Sequence, residues 1–88
     1  MIYVYVLLSL KDNKFYTGYT NNLRRRFYEH QRGTVFSTKS RYPLKLIYCE
    51  ACLNLEDAKE REKYLKTAWG KRYLKNRLKN YLKTNPMR

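Results

Sequence analysis

The chain has 88 residues, which is enough for one domain with a single modest core and too few for two domains. Its 20 Lys and Arg residues against 7 Asp and Glu residues give a formal net charge of +13, so a polyanionic partner is expected, with nucleic acid favoured over an acidic membrane surface. The longest apolar run, residues 1–8, is far shorter than the roughly 20 residues that span a bilayer, and no basic region precedes it as in a signal peptide. These features predict a cytoplasmic protein without a membrane partner.

A β-hairpin is predicted at the start of the chain. Residues 3–8 alternate between the two faces of an extended strand, and both faces are mostly apolar, so we expect an interior strand that is covered on both sides. Residues 11–14 are turn formers, and residues 15–19 form a second strand. Gly18 interrupts this strand at a point where a close backbone approach or an unusual pair of dihedral angles is needed.

A short amphipathic helix is predicted after the hairpin. Residues 20–22 offer N-cap side chains, and Leu23 and Phe27 form an i, i+4 apolar pair. Because successive helical residues are rotated by about 100°, Arg26 and His30 lie one turn apart beside this apolar pair. We therefore expect one Arg and the only His of the chain to face the hairpin.

A polar connection and a third strand come next. Residues 34–43 carry hydroxyl and cationic side chains that suit phosphate contacts, and a plain solvated loop is an equally good interpretation. Residues 44–52 are an apolar run that joins the hairpin as a third strand. Cys49 and Cys52 form a C-x-x-C pair in this run, but no second pair completes a zinc site, so we expect buried thiols in a reduced compartment.

The predicted second helix carries an anomaly at Glu62. Asn54 and Asp57 resemble a capping pair at the start of this helix. Apolar residues recur along it at helical spacing, at Leu55, Ala58, Leu65 and Trp69. Glu62 falls in the same stripe, where a carboxylate is costly unless it is paired or bound to metal. From the residues alone, a metal ligand and a structural ion pair with Arg26 or another base are equally good interpretations.

A basic helix and a short tail are predicted for the rest of the chain. Gly70 is expected to end the second helix, and residues 71–82 to form another with one apolar face and a basic outer face. Residues 84–88 are expected to fray. We therefore predict one domain over residues 1–83, of the α/β (α+β) class, in which three antiparallel strands form a small sheet flanked by helices.

The order and spacing of several polar groups along the chain resemble those of a known family. These groups are Tyr3-Val4-Tyr5 and Tyr16-Thr17-Gly18 in the hairpin, Arg26 and His30 in the first helix, and Glu62 in the second. The set resembles the GIY-YIG nuclease family, with Tyr-Val-Tyr in place of Gly-Ile-Tyr and Thr17 in place of the middle Ile. Both replacements fall at strand positions that supply no group to the chemistry, and the resemblance covers nearly the whole chain.

The resemblance implies a metal-dependent endonuclease that hydrolyses DNA phosphodiester bonds in repair or recombination, with RNA left open as a substrate. It implies that Glu62 binds Mg²⁺ or another divalent cation such as Mn²⁺, which favours the metal-ligand interpretation of this residue. Tyr5 would be the general base, its proton made easier to lose by the metal, Arg26 and His30. Tyr16 would position the water or the scissile phosphate, and Arg26 would neutralise developing negative charge.

Further residues are expected to bind nucleic acid. They are Gly18, Arg24, Arg25, Lys39, Arg41, Lys71 and Arg72. Asn76 is a positional match for an Asn that related nucleases place after the metal-binding helix, although helical periodicity turns it away from the apolar stripe. The alternative function is a nucleic-acid-binding module that has the fold but cuts nothing, and Glu62 on an apolar face counts against it. A membrane-surface protein would need a broad exposed apolar helix face, and here the core uses those faces.

Overall fold

The computed structural model describes residues 1–84 and has a three-stranded antiparallel sheet with four α-helices. In chain order the elements are β1 (Ile2–Ser9), β2 (Phe15–Thr20), α1 (Leu23–Gln31), a 3₁₀ turn (Lys39–Arg41), β3 (Leu44–Cys52), α2 (Leu55–Leu65), α3 (Ala68–Arg77) and α4 (Lys79–Thr84). The strand order is β2-β1-β3, with both pairings antiparallel. The predicted α+β class and three-stranded sheet are therefore confirmed. Of the tail expected to fray, residues 85–88 lie outside the described residues.

The central strand β1 is covered on both faces, as its double apolar pattern predicts. Residues 4–9 of this strand are all buried. On one face, Val4 and Val6 pack in a cluster with buried side chains of α2 and α3. On the other face, Tyr5 and Leu7 pack with the apolar side of α1. The sheet thus separates two apolar layers, and Tyr5 belongs to the layer beneath α1.

The helices after β3 differ from the prediction at Gly70. We expected Gly70 to end the second helix, and this is wrong, because α2 ends at Leu65 and Gly70 lies inside α3. Thr67 caps α3, its side chain accepting a hydrogen bond from the Gly70 N–H. Gly70 is buried against the end of α2, where an added Cβ would collide with the Tyr64 carbonyl oxygen. Glycine at this position therefore permits the close contact between two helices.

Two further parts of the helical prediction are corrected. The expected single helix over residues 71–82 is two helices, with Leu78 at φ −107° and ψ 19° between α3 and α4. The expected apolar stripe does not continue to Trp69, which is 67% exposed, because the break at residues 66–67 changes the helical register before that residue. Leu55 is also exposed, so Ala58 and Leu65 are the stripe residues that enter the core.

The two cysteines are less buried than we expected. Cys49 is exposed and Cys52 is half-buried, and both are free thiols. They lie on β3, an edge strand of the sheet, whose side chains are covered less completely than those of β1. Within residues 1–84, no group of three or more His, Cys, Asp and Glu side chains is placed to hold a metal ion. In the same range, no helix is both long enough and apolar enough to cross a membrane.

Candidate active site

A polar cavity of about 540 Å³ opens beside β2, the edge strand next to β1. Its lining comes from both strands of the hairpin, from α1 and from α2. The lining residues are Tyr5, Tyr16, Gly18, Tyr19, Thr20, Arg25, Arg26, Glu29 and Glu62. Four elements that are distant along the chain therefore contribute polar side chains to one open space.

The five residues proposed for catalysis come together at this cavity. Tyr5, Tyr16, Arg26 and Glu62 line it directly. His30 lies behind Tyr5, fully buried, with its Nε2 atom 2.9 Å from the Tyr5 hydroxyl oxygen. The Tyr16 and His30 rings are also in edge contact, with centroids 5.2 Å apart. The helical periodicity that places Arg26 and His30 on the hairpin side of α1 accounts for this meeting.

Gly18 makes room for the ring of Tyr5. The two residues face each other across the β1–β2 pairing. A Cβ added at Gly18 would lie 2.6 Å from the Tyr5 hydroxyl oxygen and 2.7 Å from its Cζ atom, which is closer than real Cβ contacts come. The close approach predicted at Gly18 is therefore made by the Tyr5 ring of β1, which lies over the backbone of β2 at this glycine. Any larger residue would displace the hydroxyl of Tyr5 from the cavity.

His30 has a polar partner on each ring nitrogen. Its Nδ1 atom lies 2.6 Å from the Thr38 hydroxyl oxygen, and Thr38 is fully buried. Burial, together with the positive charge of Arg26, lowers the pKa of His30 to about 4, so the imidazole is neutral at pH 7. Sequence reasoning missed Thr38, because its contact with His30 is a tertiary one across a loop that has no periodic pattern.

The pKa of Tyr5 differs from the sequence-based expectation. We expected Arg26 and His30 to make its proton easier to lose, but burial raises the pKa of Tyr5 above its ordinary value. Arg26 acts in the expected direction and lowers the pKa of Tyr5, although burial has the larger effect. His30 is neutral, so it offers Tyr5 a hydrogen-bond partner and no positive charge. Tyr5 is therefore a neutral phenol at pH 7.

Glu29 is a second residue of the site that sequence reasoning missed. Its carboxylate accepts a hydrogen bond of 2.9 Å from the Arg26 Nη1 atom, and Arg25 approaches the same carboxylate at 4.0 Å. This contact raises the pKa of Arg26 and fixes its guanidinium at the cavity wall. The i, i+3 spacing of Arg26 and Glu29 was the available signal in the sequence.

Glu62 lines the cavity without pairing to a buried cation. Its side chain is 14% exposed, and its partner is Lys66, the C-cap residue of α2, whose side chain is 52% exposed. Of the ion pairs considered for Glu62, the one with Arg26 is not formed, because Arg26 pairs with Glu29, whereas a pair with another base, Lys66, is formed. The carboxylate of Glu62 thus faces a polar cavity and pairs with one half-exposed cation.

The residues present fit a divalent cation of the hydrated type. Mg²⁺ is commonly bound through one or two carboxylates and keeps several waters or takes oxygens from a phosphate. The cavity offers the Glu62 carboxylate and open volume beside it, whereas the Glu29 carboxylate in the same lining is bound to Arg26. A cation enclosed entirely by protein would need more ligands than residues 1–84 supply here. Glu62 is therefore the residue that suits a metal whose other ligands are water and substrate.

Comparison with known proteins decides the family. The sequence model of the GIY-YIG catalytic domain matches residues 1–76. The chain belongs to the GIY-YIG family. It is similar to a UPF0213 protein of Limosilactobacillus reuteri, with 48% identity over 67 residues that cover 73% of this chain and 69% of the relative. A UPF0213 protein of Clostridium perfringens is 45% identical over 67 residues, covering 75% of this chain and 71% of that relative.

The fold of this GIY-YIG protein is also similar to a solved structure. The solution NMR structure of a UPF0213 protein from Bacillus halodurans shares 33% sequence identity with it and superposes with a TM-score of 0.52. The match covers 98% of this chain and 89% of the other. The predicted family and the predicted sheet with flanking helices are both confirmed by these comparisons.

The residues expected to bind nucleic acid are spread over several surfaces of the GIY-YIG domain. Gly18 and Arg25 line the cavity, and Arg24 is exposed beside it on α1. Lys39 and Arg72 each stack over an exposed aromatic ring. Asn76, the weak candidate, is exposed on α3 and does not line this cavity. The structure thus brings two of these residues into the cavity and leaves the others outside it.

Arg41 and Lys71 belong to a second, basic cavity of about 520 Å³. Its lining residues are Asn13, Lys14, Phe15, Arg41, Lys71 and Lys75. Arg41 is committed to the fold, because its Nε atom donates to Asp12 at 2.9 Å and its Nη2 atom donates to the Lys14 and Phe15 carbonyl oxygens. The three lysines are the cations of this cavity that remain for a phosphate.

The buried, neutral state of His30 predicts a pH dependence of stability. Its pKa is about 4 in the folded chain and about 6.5 when unfolded, so the unfolded state binds more protons between these values and stability falls as the pH falls through this range. We expect the free energy of unfolding to be about 2 kcal/mol higher at pH 7 than at pH 5. Urea titrations at both pH values measure this difference. His30→Gln should remove most of it, and an unchanged difference in that variant would contradict the assignment.

Proposed function

We propose that this protein is a metal-dependent endonuclease that hydrolyses phosphodiester bonds of DNA. The observation that carries the proposal is the meeting of Tyr5, Tyr16, Arg26 and Glu62 around one polar cavity, with His30 bound to Tyr5 from behind. Membership of the GIY-YIG family supports a nuclease acting on nucleic acid. The net charge of +13 supports a polyanionic substrate. DNA intermediates of repair or recombination are the proposed substrates, and RNA is a second possible one.

Tyr5 is the proposed general base, acting together with His30. Because neutral His30 has one N–H group, donation from Nδ1 to Thr38 leaves the Nε2 lone pair to accept the Tyr5 O–H proton. The oxygen of Tyr5 then presents its own lone pair to a water in the cavity. As the water attacks phosphorus, its proton moves to Tyr5 and the phenol proton moves to His30 Nε2. This arrangement lets a neutral phenol with a raised pKa serve as a base.

The other residues orient and stabilise the phosphate. Arg26, fixed by Glu29, donates hydrogen bonds to the phosphoryl oxygens as negative charge develops on them. The Tyr16 hydroxyl, exposed to the same cavity, positions the water or the scissile phosphate. Glu62 would hold a divalent cation such as Mg²⁺ or Mn²⁺. That cation, when bound, supplies Lewis-acid stabilisation of the phosphoryl and leaving 3′ oxygens.

A nucleic-acid-binding module that cuts nothing is the second candidate function. The basic cavity at Lys14, Lys71 and Lys75 favours it, because this cavity suits phosphate contacts and carries none of the groups proposed for chemistry. The convergence of Tyr5, Arg26 and Glu62 counts against it, since binding alone does not require a carboxylate beside the arginine that would contact phosphate.

A pair of arginine variants distinguishes the two functions. Arg26→Ala should abolish most cleavage and leave DNA affinity within a few-fold, because one of 20 cations is lost from the overall field while the donor at the phosphate is removed. Arg24→Ala is the matched control, an exposed cation on the same helix, and should cleave at a near-normal rate with slightly weaker binding. Single-turnover cleavage and binding isotherms measure both effects. Equal losses of cleavage in the two variants would indicate that α1 supplies only a basic surface and that Arg26 has no separate role at the phosphate.

A further inference from the structure

The loop between α1 and β3 is anchored to the candidate active site. Thr38 is buried against His30, and the Ser37 hydroxyl donates to the Tyr16 hydroxyl oxygen at 3.4 Å. Thr34 donates to the Glu29 carbonyl oxygen through both its backbone N–H and its side chain. The loop is therefore held in one position by contacts with three residues of the site.

Phe36 stands out on this anchored loop because its ring is exposed. The residue is 84% exposed, although its neighbour Val35 is buried and Ser37 touches Tyr16. The Lys39 ammonium nitrogen lies 5.2 Å from the centroid of the Phe36 ring, at cation–π distance. One ring face is thus occupied by a cation, and the rest of the ring is presented to solvent from a fixed backbone. At this exposure the ring adds almost no buried area to the core.

We propose that Phe36 and Lys39 bind an unpaired nucleobase next to the scissile phosphate. The inference deepens the proposed function, on which it rests, by naming a DNA structure as the preferred substrate. An aromatic ring stacks on the face of a base, and in a duplex both faces are covered by neighbouring base pairs. A ring presented outside the protein therefore selects a base at a branch, flap or single-stranded end. Lys39 is placed to contact the phosphate of the same nucleotide.

The charge around Phe36 favours a nucleobase over a hydrophobic protein partner. Protein interfaces bury contiguous apolar patches, whereas Phe36 is a single ring with a cation stacked on it, in a chain of net charge +13. Alternation of aromatic and cationic side chains is the usual surface of proteins that bind single strands. Ser37, the chain neighbour of Phe36, contacts the Tyr16 hydroxyl, so a single residue links Phe36 to a candidate catalytic group.

Tyr28 provides a matched control for Phe36. It is 58% exposed, and the Arg32 guanidinium carbon lies 5.5 Å from its ring centroid, so it forms the same kind of aromatic–cation pair. Tyr28 is two residues from both Arg26 and His30, which places it on the opposite side of α1 from these residues. A general loss of surface aromatic contacts would affect both pairs, whereas a base site beside the cavity involves only Phe36.

The experiment uses a splayed-arm DNA with 2-aminopurine at the first unpaired position of one arm, titrated with the full chain in EDTA. We expect wild type to quench the fluorescence of the probe. Phe36→Ala should lose the quenching and bind this DNA about 5- to 100-fold more weakly, while its affinity for a fully paired duplex is unchanged. Phe36→Trp should restore both signals, and Tyr28→Ala should behave as wild type.

Three results would overturn the inference. The first is that wild type does not quench the probe, and the second is that Phe36→Ala loses affinity equally for duplex and splayed DNA. The third is that Phe36→Ala changes only its sedimentation coefficient, which would mean that a second copy of the chain occupies this surface. Because binding is measured in EDTA, the outcome is separate from cleavage. Quenching by a wild type that fails to cut DNA would refute the endonuclease and keep the base site. If wild type cuts DNA but its quenching does not depend on Phe36, the base site is refuted and the endonuclease is kept.

Discussion

Tyr5→Phe is expected to lose a factor of about 10² or more in cleavage rate while the chain still folds. The substitution removes one hydroxyl from a ring that remains packed in the layer beneath α1. It also leaves His30 Nε2 without its partner, so we expect a cost of about 1–3 kcal/mol in the free energy of unfolding. Single-turnover cleavage at saturating enzyme, together with urea titrations, measures both quantities.

Tyr3→Phe is the control for this experiment. Tyr3 is half-buried on the same face of β1, two residues before Tyr5, and it does not line the cavity. We expect its loss of a hydroxyl to leave the cleavage rate within a few-fold. Normal cleavage by Tyr5→Phe, combined with loss of cleavage in Tyr16→Phe, would mean that the proposed roles of the two tyrosines are exchanged.

Glu62→Gln is expected to abolish metal-dependent cleavage while DNA affinity stays the same or rises, because a negative group leaves the cavity proposed to hold the DNA phosphate. Stability is the second readout. The structure pairs Glu62 with Lys66, a half-exposed surface cation, so the substitution should change the free energy of unfolding by less than about 1 kcal/mol. Urea titrations in EDTA and in Mg²⁺, run beside a cleavage assay, give these values.

Glu56→Gln is the matched control for Glu62→Gln. Glu56 lies on the same helix and also pairs with a lysine, Lys59, but its side chain is 75% exposed and does not line the cavity. Its substitution should leave cleavage unchanged. A loss of about 3 kcal/mol or more in Glu62→Gln would indicate a structural ion pair, and metal-dependent cleavage that persists in this variant would remove Glu62 from the site.

Much of the fold and of the site follows from local patterns in the sequence. The alternation in β1 places a strand with two apolar faces at the centre of the sheet. Helical rotation brings Arg26 and His30 to the hairpin, and Glu62 is visible as a carboxylate in an apolar stripe. These predictions depend on the period of a single element, which the sequence carries directly.

The remaining features depend on contacts between elements or on where an element stops. Thr38 meets His30 across a loop, so no local pattern identifies it. Trp69 has the spacing of the apolar stripe of α2 but does not belong to that helix. α2 ends at Leu65, and Thr67 caps the start of α3 before Trp69. A glycine at residue 70 predicts the end of a helix, but its small size instead permits α3 to pack closely against α2. The raised pKa of Tyr5 reflects burial, which periodicity does not quantify.

The central claim is that the cavity beside β2 cuts DNA, and its most direct test is cleavage of a panel of duplex, branched and single-stranded DNAs by the purified chain. The account predicts nicks that appear in Mg²⁺, disappear in EDTA and carry 5′-phosphate and 3′-hydroxyl ends. It also predicts that Tyr5→Phe, which retains DNA binding, gives little product. Tight DNA binding by wild type without any cleavage of the panel in Mg²⁺ or Mn²⁺ would contradict the account and identify a binding module.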